Sequence, residues 1–319
     1  GTEDRYMGRF MLKRFVDKTQ VSVVGSANNV NDQGFSGGGG PPRWRRNNGL
    51  TATKMLGVNF ATQTDKLELG GSARYNYQDG DIASIGSTED FLPDGNSYSN
   101  SNSRQRNKAK NFNADFRMEW KPDSMTNIIF RPNFSYGKTD NLSNSESGTF
   151  DSDPYSLVTD PNNWLNLEKI LNPDDDPLRS IRINAINSGS LSDNKSVSTD
   201  ATLQLNRKLN DKGRNVTFRG RFGYTNNDNN QYTESETHYF KLLNYLQTGD
   251  SVLIRNQYIA TPTKNYNYSA QLTYSEPIAR ATFLQFSYQF QYKYSESDKT
   301  TYDLQGFPDW GLSTQLPVG

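Results

Sequence analysis

His238 is the only histidine in the chain, and it stands among Glu234, Ser235 and Glu236. A serine, an imidazole and a carboxylate are the parts of a nucleophilic triad, but they drive acyl transfer only when they converge in space. Neighbouring residues of an extended chain point to opposite sides, so this cluster predicts no catalysis. Asp174-Asp175-Asp176, set between Pro173 and Pro177, could offer carboxylates to calcium. Loops of the EF-hand kind space their ligands at alternate positions around a central glycine. Three consecutive aspartates do not, and the run reads as a solvated acidic loop. Asp79-Gly80-Asp81 reads as a turn by the same argument. Gly37 to Gly40 could suggest a phosphate cradle, but no Lys-Ser/Thr pair or helix onset follows, and a flexible loop is the expectation. No catalytic, cofactor-binding or metal-ligating residue is expected, and no cofactor.

Composition narrows the chemistry further. The chain of 319 residues has no cysteine, which removes disulfides, thiolate metal sites and cysteine nucleophiles together. Its 35 basic and 35 acidic residues leave no net charge and no basic stripe, so nucleic acid is not an expected partner. What remains is a set of charges at alternating positions: Arg74, Asp115, Arg117, Glu119, Arg131, Arg219, Arg221 and Lys293. Each falls on the side of its segment opposite the aromatic residues. Six aromatics in polar tracts (Phe35, Trp44, Tyr155, Trp164, Tyr239 and Tyr245) could stack on sugars or anchor loops, and both readings stay open.

The elements that must position these charges are strands. From Leu284 to Tyr294 the chain alternates apolar and polar residues, with Leu284, Phe286, Tyr288, Phe290, Tyr292 and Tyr294 on one side and Gln285, Ser287, Gln289, Gln291 and Lys293 on the other. Successive strand side chains face opposite ways, so each such segment has a greasy face and a wet one. The pattern recurs over 266–274, 216–225, 111–120 and 128–136. It is weaker over 6–15, 21–30, 50–62, 67–77 and 197–205, giving about ten strands by pattern counting. Tight turns are expected at 17–19, 64–66, 122–124, 210–213 and 276–279, where Asp, Asn, Gly or Pro supply turn conformations. Long loops are expected near 31–48, 79–105, 140–193 and 226–256. Within the longest, Asp160-Pro161 predicts the start of a short helix ending before Asn172-Pro173. Leu178–Ala185 fits a helical turn or a strand equally well.

A soluble sandwich and a membrane barrel both alternate in this way. Three features favour the barrel. Aromatics sit near strand ends, as in Trp120 before Lys121-Pro122 and Tyr274 before Glu276-Pro277. The alternating runs reach the 9–11 residues needed to cross a bilayer at a tilt. Short turns alternate with long loops. The fold expected is all-β: an antiparallel up-and-down transmembrane β-barrel, a single segment over 1–319 with its long loops at one end.

Asn28-Asn29-Val30-Asn31-Asp32-Gln33-Gly34-Phe35 after an alternating strand resembles the early barrel of TonB-dependent receptor-like outer-membrane proteins. So do Asn206-Arg207-Lys208-Leu209 with Gly213-Arg214, and Tyr274-Ser275-Glu276-Pro277-Ile278. The resemblance runs over nearly the whole chain and implies solute binding or uptake at the Gram-negative outer membrane. It implies three partners: outer-membrane lipid, a plug domain inside a barrel of about 22 strands, and an inner-membrane energy-coupling complex acting on that plug. Signal and plug segments of that plan are not among these residues, so the chain is expected to be part of a larger barrel. The eight charges are then expected to line the lumen, there to hold a plug, to pass a hydrophilic solute, or simply to keep the wall hydrated. A soluble glycan-binding module and a structural or adhesive surface barrel are the alternative functions.

Overall fold

The computed structural model describes residues 5–30, 50–91, 93, 95–172, 174–243, 250–279 and 282–304. The strands are β1 (Met7–Val16), β2 (Thr19–Asn28), β3 (Leu50–Gln63), β4 (Leu67–Asp90), β5 (Ser97–Trp120), β6 (Thr126–Phe150), β7 (Arg182–Lys208), β8 (Asn215–Leu243), β9 (Asp250–Ala279), β10 (Thr282–Ser297) and β11 (Thr300–Asp303). β1 to β10 pair in sequence order, each antiparallel to the next, in one sheet. β11 resumes the outer edge of β9 beyond the end of β10. Among the described residues β1 and β10 each pair on one side only, so the sheet is open.

Four of the expected turns fall between strands. Asp17 takes φ 48 at the β1–β2 corner and Gly213 takes φ 99 between β7 and β8; glycine and aspartate enter that left-handed region more readily than most residues. The fifth expected turn, 276–279, is strand. Glu276 pairs with Leu284 and Pro277 with Phe283, and the Arg214 guanidinium grips Glu276 from the neighbouring hairpin at 2.5 Å. That ladder and ion pair carry β9 past the proline, and the connection itself lies outside the described residues.

The long loops are corrected more heavily. β4 and β5 are joined by only six residues, 91–96, and the 79–105 tract is almost wholly strand. The 226–256 tract is likewise β8 and β9 up to 243 and from 250. The 140–193 tract is a true connection only over 151–181, and 31–48 lies outside the described residues. β8 and β9 reach 29 and 30 residues. In these distal stretches Ser, Asn and Thr occupy both faces, so alternation loses its contrast while the backbone ladder continues. Asp79 and Asp81 therefore sit mid-strand, where Arg106 and Arg104 pair with them across β5 at 3.1 and 2.7 Å.

Two faces follow from the register. Face 1 carries the row Leu67–Trp120–Ile128–Leu205–Phe218–Leu272–Tyr288 near the tight turns. Farther along lies Leu56–Tyr75–Phe112–Tyr136–Val197. On β5 this apolar band runs from Trp120 to Phe112, the length of one tilted bilayer crossing. Its rings interlock across strands, Tyr266 on Tyr294 at 4.7 Å and Tyr268 on Tyr292 at 5.0 Å between centroids. Toward the β10 edge the side chains are exposed, Leu272 keeping 50%, Phe286 59% and Tyr288 71% of their accessible surface, and on β5 and β6 Phe112, Phe116 and Phe130 are half-buried. Face 2 is mostly polar, with Met11, Phe15 and Val24 on β1 and β2 and Ile129 on β6 as apolar exceptions. Along β2, Val21 is exposed on face 1 while Ser22, Val24, Ser26 and Asn28 are buried on face 2.

Among the described residues, clustered apolar side chains are buried at the distal end. The 151–181 segment folds back onto face 1, burying Phe150, Leu165 and Leu178 in one cluster and Leu167, Ile170 and Ala185 in another. The expected helix is two short pieces, a 3₁₀ turn at Pro161–Trp164 and α1 at Leu167–Ile170. Asp160 caps the first as expected, accepting from the Asn162 amide at 3.2 Å, and Asn166 caps the second. Leu178–Ile181 is turn, and β7 takes over from Arg182.

Candidate functional site

All eight charges singled out in the sequence lie on face 2. The register explains the grouping. Arg131 stands opposite Thr202, which stands opposite Arg221, and Arg221 stands opposite Ser269. Arg74 faces Asn113, and Lys293 faces Asn267. Among these eight charges, ion pairing is confined to the turn-proximal end of β5. There Arg117 reaches Glu119 at 3.0 Å and Glu68 at 3.8 Å, and Lys121 reaches Glu119 at 3.0 Å. Asp115 accepts a hydrogen bond from the Ser72 hydroxyl. Arg74, Arg131, Arg219, Arg221 and Lys293 make no ion pair among the described residues. The carboxylates of the set thus lie toward the turn-proximal end of β5, and the middle of face 2 is amide, hydroxyl and cation, with Asp200 on β7 as a further carboxylate. Such a surface offers hydrogen bonds and cationic groups.

A second polar site lies on face 1, distal to the apolar band, where the 151–181 segment meets the sheet. Asn162 ties the two together. Its side-chain carbonyl accepts from Asn100 at 2.9 Å, and its amide donates to the Ser101 carbonyl at 2.9 Å and to Asn102 at 3.0 Å. Asn166 donates to Glu146 at 3.1 Å. Beside this seam opens a cavity of about 460 Å³ lined by Asn102, Asn144, Asn187, Glu146, Asp160 and Glu234, among others. Glu234 is buried, and that burial pushes its carboxyl above the ordinary glutamate range; the Tyr232 hydroxyl donates to it at 3.1 Å and partly offsets the effect. Asp79 moves the other way, because Arg106 donates to it. Amides and carboxylates at this spacing can hold hydroxyl-rich or cationic ligands by hydrogen bonding.

The other sequence candidates separate. His238 lies on face 1 against Phe240, bonded to Glu236, while Ser235 points to face 2 opposite Ser188. Serine and imidazole therefore never meet. In the aspartate run, Asp175 accepts from Asn172 at 2.6 Å. Asp176 is fully buried in a pair with Arg182 at 2.8 Å. Among the described residues no three His, Cys, Asp or Glu gather as a metal site. Tyr155 receives a hydrogen bond from Asn100 at 3.3 Å, Trp164 packs on the Phe150 cluster, and Tyr239 is a strand residue on face 2. Phe35, Trp44, Tyr245 and Gly37 to Gly40 lie outside the described residues.

Sequence reasoning missed Arg182 and the Asn162 seam, and it named Glu234 only beside His238 without its burial; all lie in tracts it read as loop. One signal was present: Asn100, Asn102, Asn144 and Asn187 sit at positions of one parity on their strands, as a shared face requires. No family model matches the chain, and no curated protein matches it.

Proposed function

We propose that the chain is barrel wall of a TonB-dependent receptor-like protein of the Gram-negative outer membrane, and that it takes part in binding or uptake of a solute. The supporting observation is the apolar band. Large apolar side chains of ten consecutive strands gather on one face to the height of a bilayer, and they are exposed or only half-buried. In a soluble sandwich that face would meet a second sheet; among the described residues no second sheet covers it. Lipid is the natural solvent for it. Face 2, mostly polar, then lines the lumen, and its cations meet a plug or an anionic group of the solute. In this reading the tight turns face the periplasm, and β4 to β9 run on past the membrane as a tall wall capped by the 151–181 segment. Energy for active uptake comes from the inner-membrane complex acting on a plug domain, and the wall supplies the path.

The test uses the two faces of one hairpin. Leu272 on β9 lies on face 1 within the band, and Ser287 on β10 lies on face 2. Leu272→Arg is expected to lower the unfolding free energy in phosphatidylcholine bilayers by about 2–4 kcal/mol if the site is near midplane, and Ser287→Arg by much less. Denaturant titration of vesicle-bound protein reads both. Equal costs, or no cost for Leu272→Arg, would remove the lipid-facing assignment.

A further inference from the structure

The apolar band of face 1 ends in a line of lysines. One register row reads Lys54–Tyr77–Lys110–Lys138–Lys195–Asp228 across β3 to β8. It lies two residues beyond Leu56, Tyr75, Phe112, Tyr136 and Val197, the last row of the band. Lys110, Lys138 and Lys195 are direct neighbours on three adjacent strands, with their β-carbons about 5 Å apart. Like charges placed so are destabilising unless something of opposite charge covers them. The carboxylates nearby do this for one lysine only. Asp193 and Asp140 approach Lys138 at 2.8 and 3.6 Å. Asp79 and Asp81 are taken by Arg106 and Arg104. Asp228 stands opposite Lys195 in the register without forming an ion pair. Lys110 and Lys195 are exposed and make no ion pair among the described residues, and Lys54 lies over the Tyr77 ring at 5.9 Å.

From these positions, and resting on the lipid-facing reading of the band, we propose that the lysine row seats the phosphate groups of anionic lipids in the leaflet on the long-strand side. An ammonium on a four-carbon stem beside an aromatic belt lies at headgroup height, where its stem covers apolar surface and its charge meets phosphate. Each lysine near an anionic surface adds to the attraction. Three neighbours in a row match a lipid carrying more than one anionic group, or several lipids side by side.

The experiment compares short-chain phosphatidylglycerol with short-chain phosphatidylcholine, titrated into the full chain in neutral detergent at constant salt. The expected result is a preference for phosphatidylglycerol of about tenfold or more. It should be lost in the Lys110→Gln/Lys195→Gln variant and kept in Lys110→Arg/Lys195→Arg. It should also survive the same change of charge away from the row, Lys169→Gln on α1 with Arg255→Gln on face 2. A preference unchanged by Lys110→Gln/Lys195→Gln would overturn the proposal, and so would inorganic phosphate producing the same saturation as the lipid. Flotation with phosphatidylcholine vesicles separates the two readings. A chain that floats but shows no headgroup preference leaves the barrel standing and the lysine row without its role. A chain that stays in the aqueous layer removes both.

Discussion

At Glu234 the sheet holds a carboxylate where water hardly reaches, opposite Gly189 on β7 and Asn256 on β9. Burial disfavours its charged form, so the folded chain binds its proton more tightly than the unfolded chain does. The sign follows from linkage. The stabilising contribution of the protonated group is complete below the ordinary glutamate range and is lost as pH rises through the elevated folded value. Asp79 and Asp81 act in the opposite sense, since the donors Arg106 and Arg104 depress them. Their contribution is present above the ordinary aspartate range and fades as pH falls through the lowered values, and their exposure keeps it small. Glu234→Gln retains an acceptor for the Tyr232 hydroxyl and removes the charge. It is expected to stabilise the distal sheet at neutral pH by about 1 kcal/mol and to flatten the loss of stability between mildly acid and neutral pH. Urea melts of the variant and the parent at two pH values check this; parallel pH slopes would refute it.

At the scale of elements, the 151–181 segment is anchored by one buried charge pair. Arg182 is fully buried, as is Asp176, and it also donates to the Trp164 carbonyl at 2.8 Å and lies over the Phe150 ring at 5.0 Å. Gly148 leaves room for it, since a β-carbon there would meet Arg182 Nη1 at 2.9 Å. Removing one member of such a pair strands the other charge, whereas replacing both with apolar groups is close to neutral. Arg182→Met is expected to loosen the segment by about 3 kcal/mol or more, read as faster amide exchange and protease cutting within 151–181. Arg182→Met combined with Asp176→Leu should recover most of the protection; a single variant as protected as the parent would dismiss the anchor. Much of this level was legible beforehand. Strand phase came from the tyrosines and phenylalanines, so every charge read as opposite the aromatics lies on face 2, and the Asp160 cap was visible beside Pro161. Strand length was not legible, because runs such as Ser143–Ser147 and Asn226–Asn230 are polar on both faces and read as loop when only side chains are considered. Arg182 and the burial of Glu234 were hidden for the same reason, and the lysine row needed the register between strands, which no single strand encodes.

At the scale of the whole molecule, the sheet buries few of its large apolar residues. Those on face 1 are exposed or half-buried, and among the described residues the two buried apolar clusters both hold down a distal cap. β1 and β10 present open edges, which a larger barrel would satisfy with further strands and an isolated sheet would satisfy by association. Everything proposed about lumen, lipid and solute depends on which solvent each face meets. Because the chain has no cysteine, one can be introduced at Phe222 on face 1 or at Ser269 on face 2 and labelled with an environment-sensitive fluorophore in reconstituted bilayers. The account predicts quenching of the Phe222 label by brominated lipid and of the Ser269 label by aqueous iodide. Iodide quenching at both positions, or brominated lipid reaching the Ser269 label first, would contradict it.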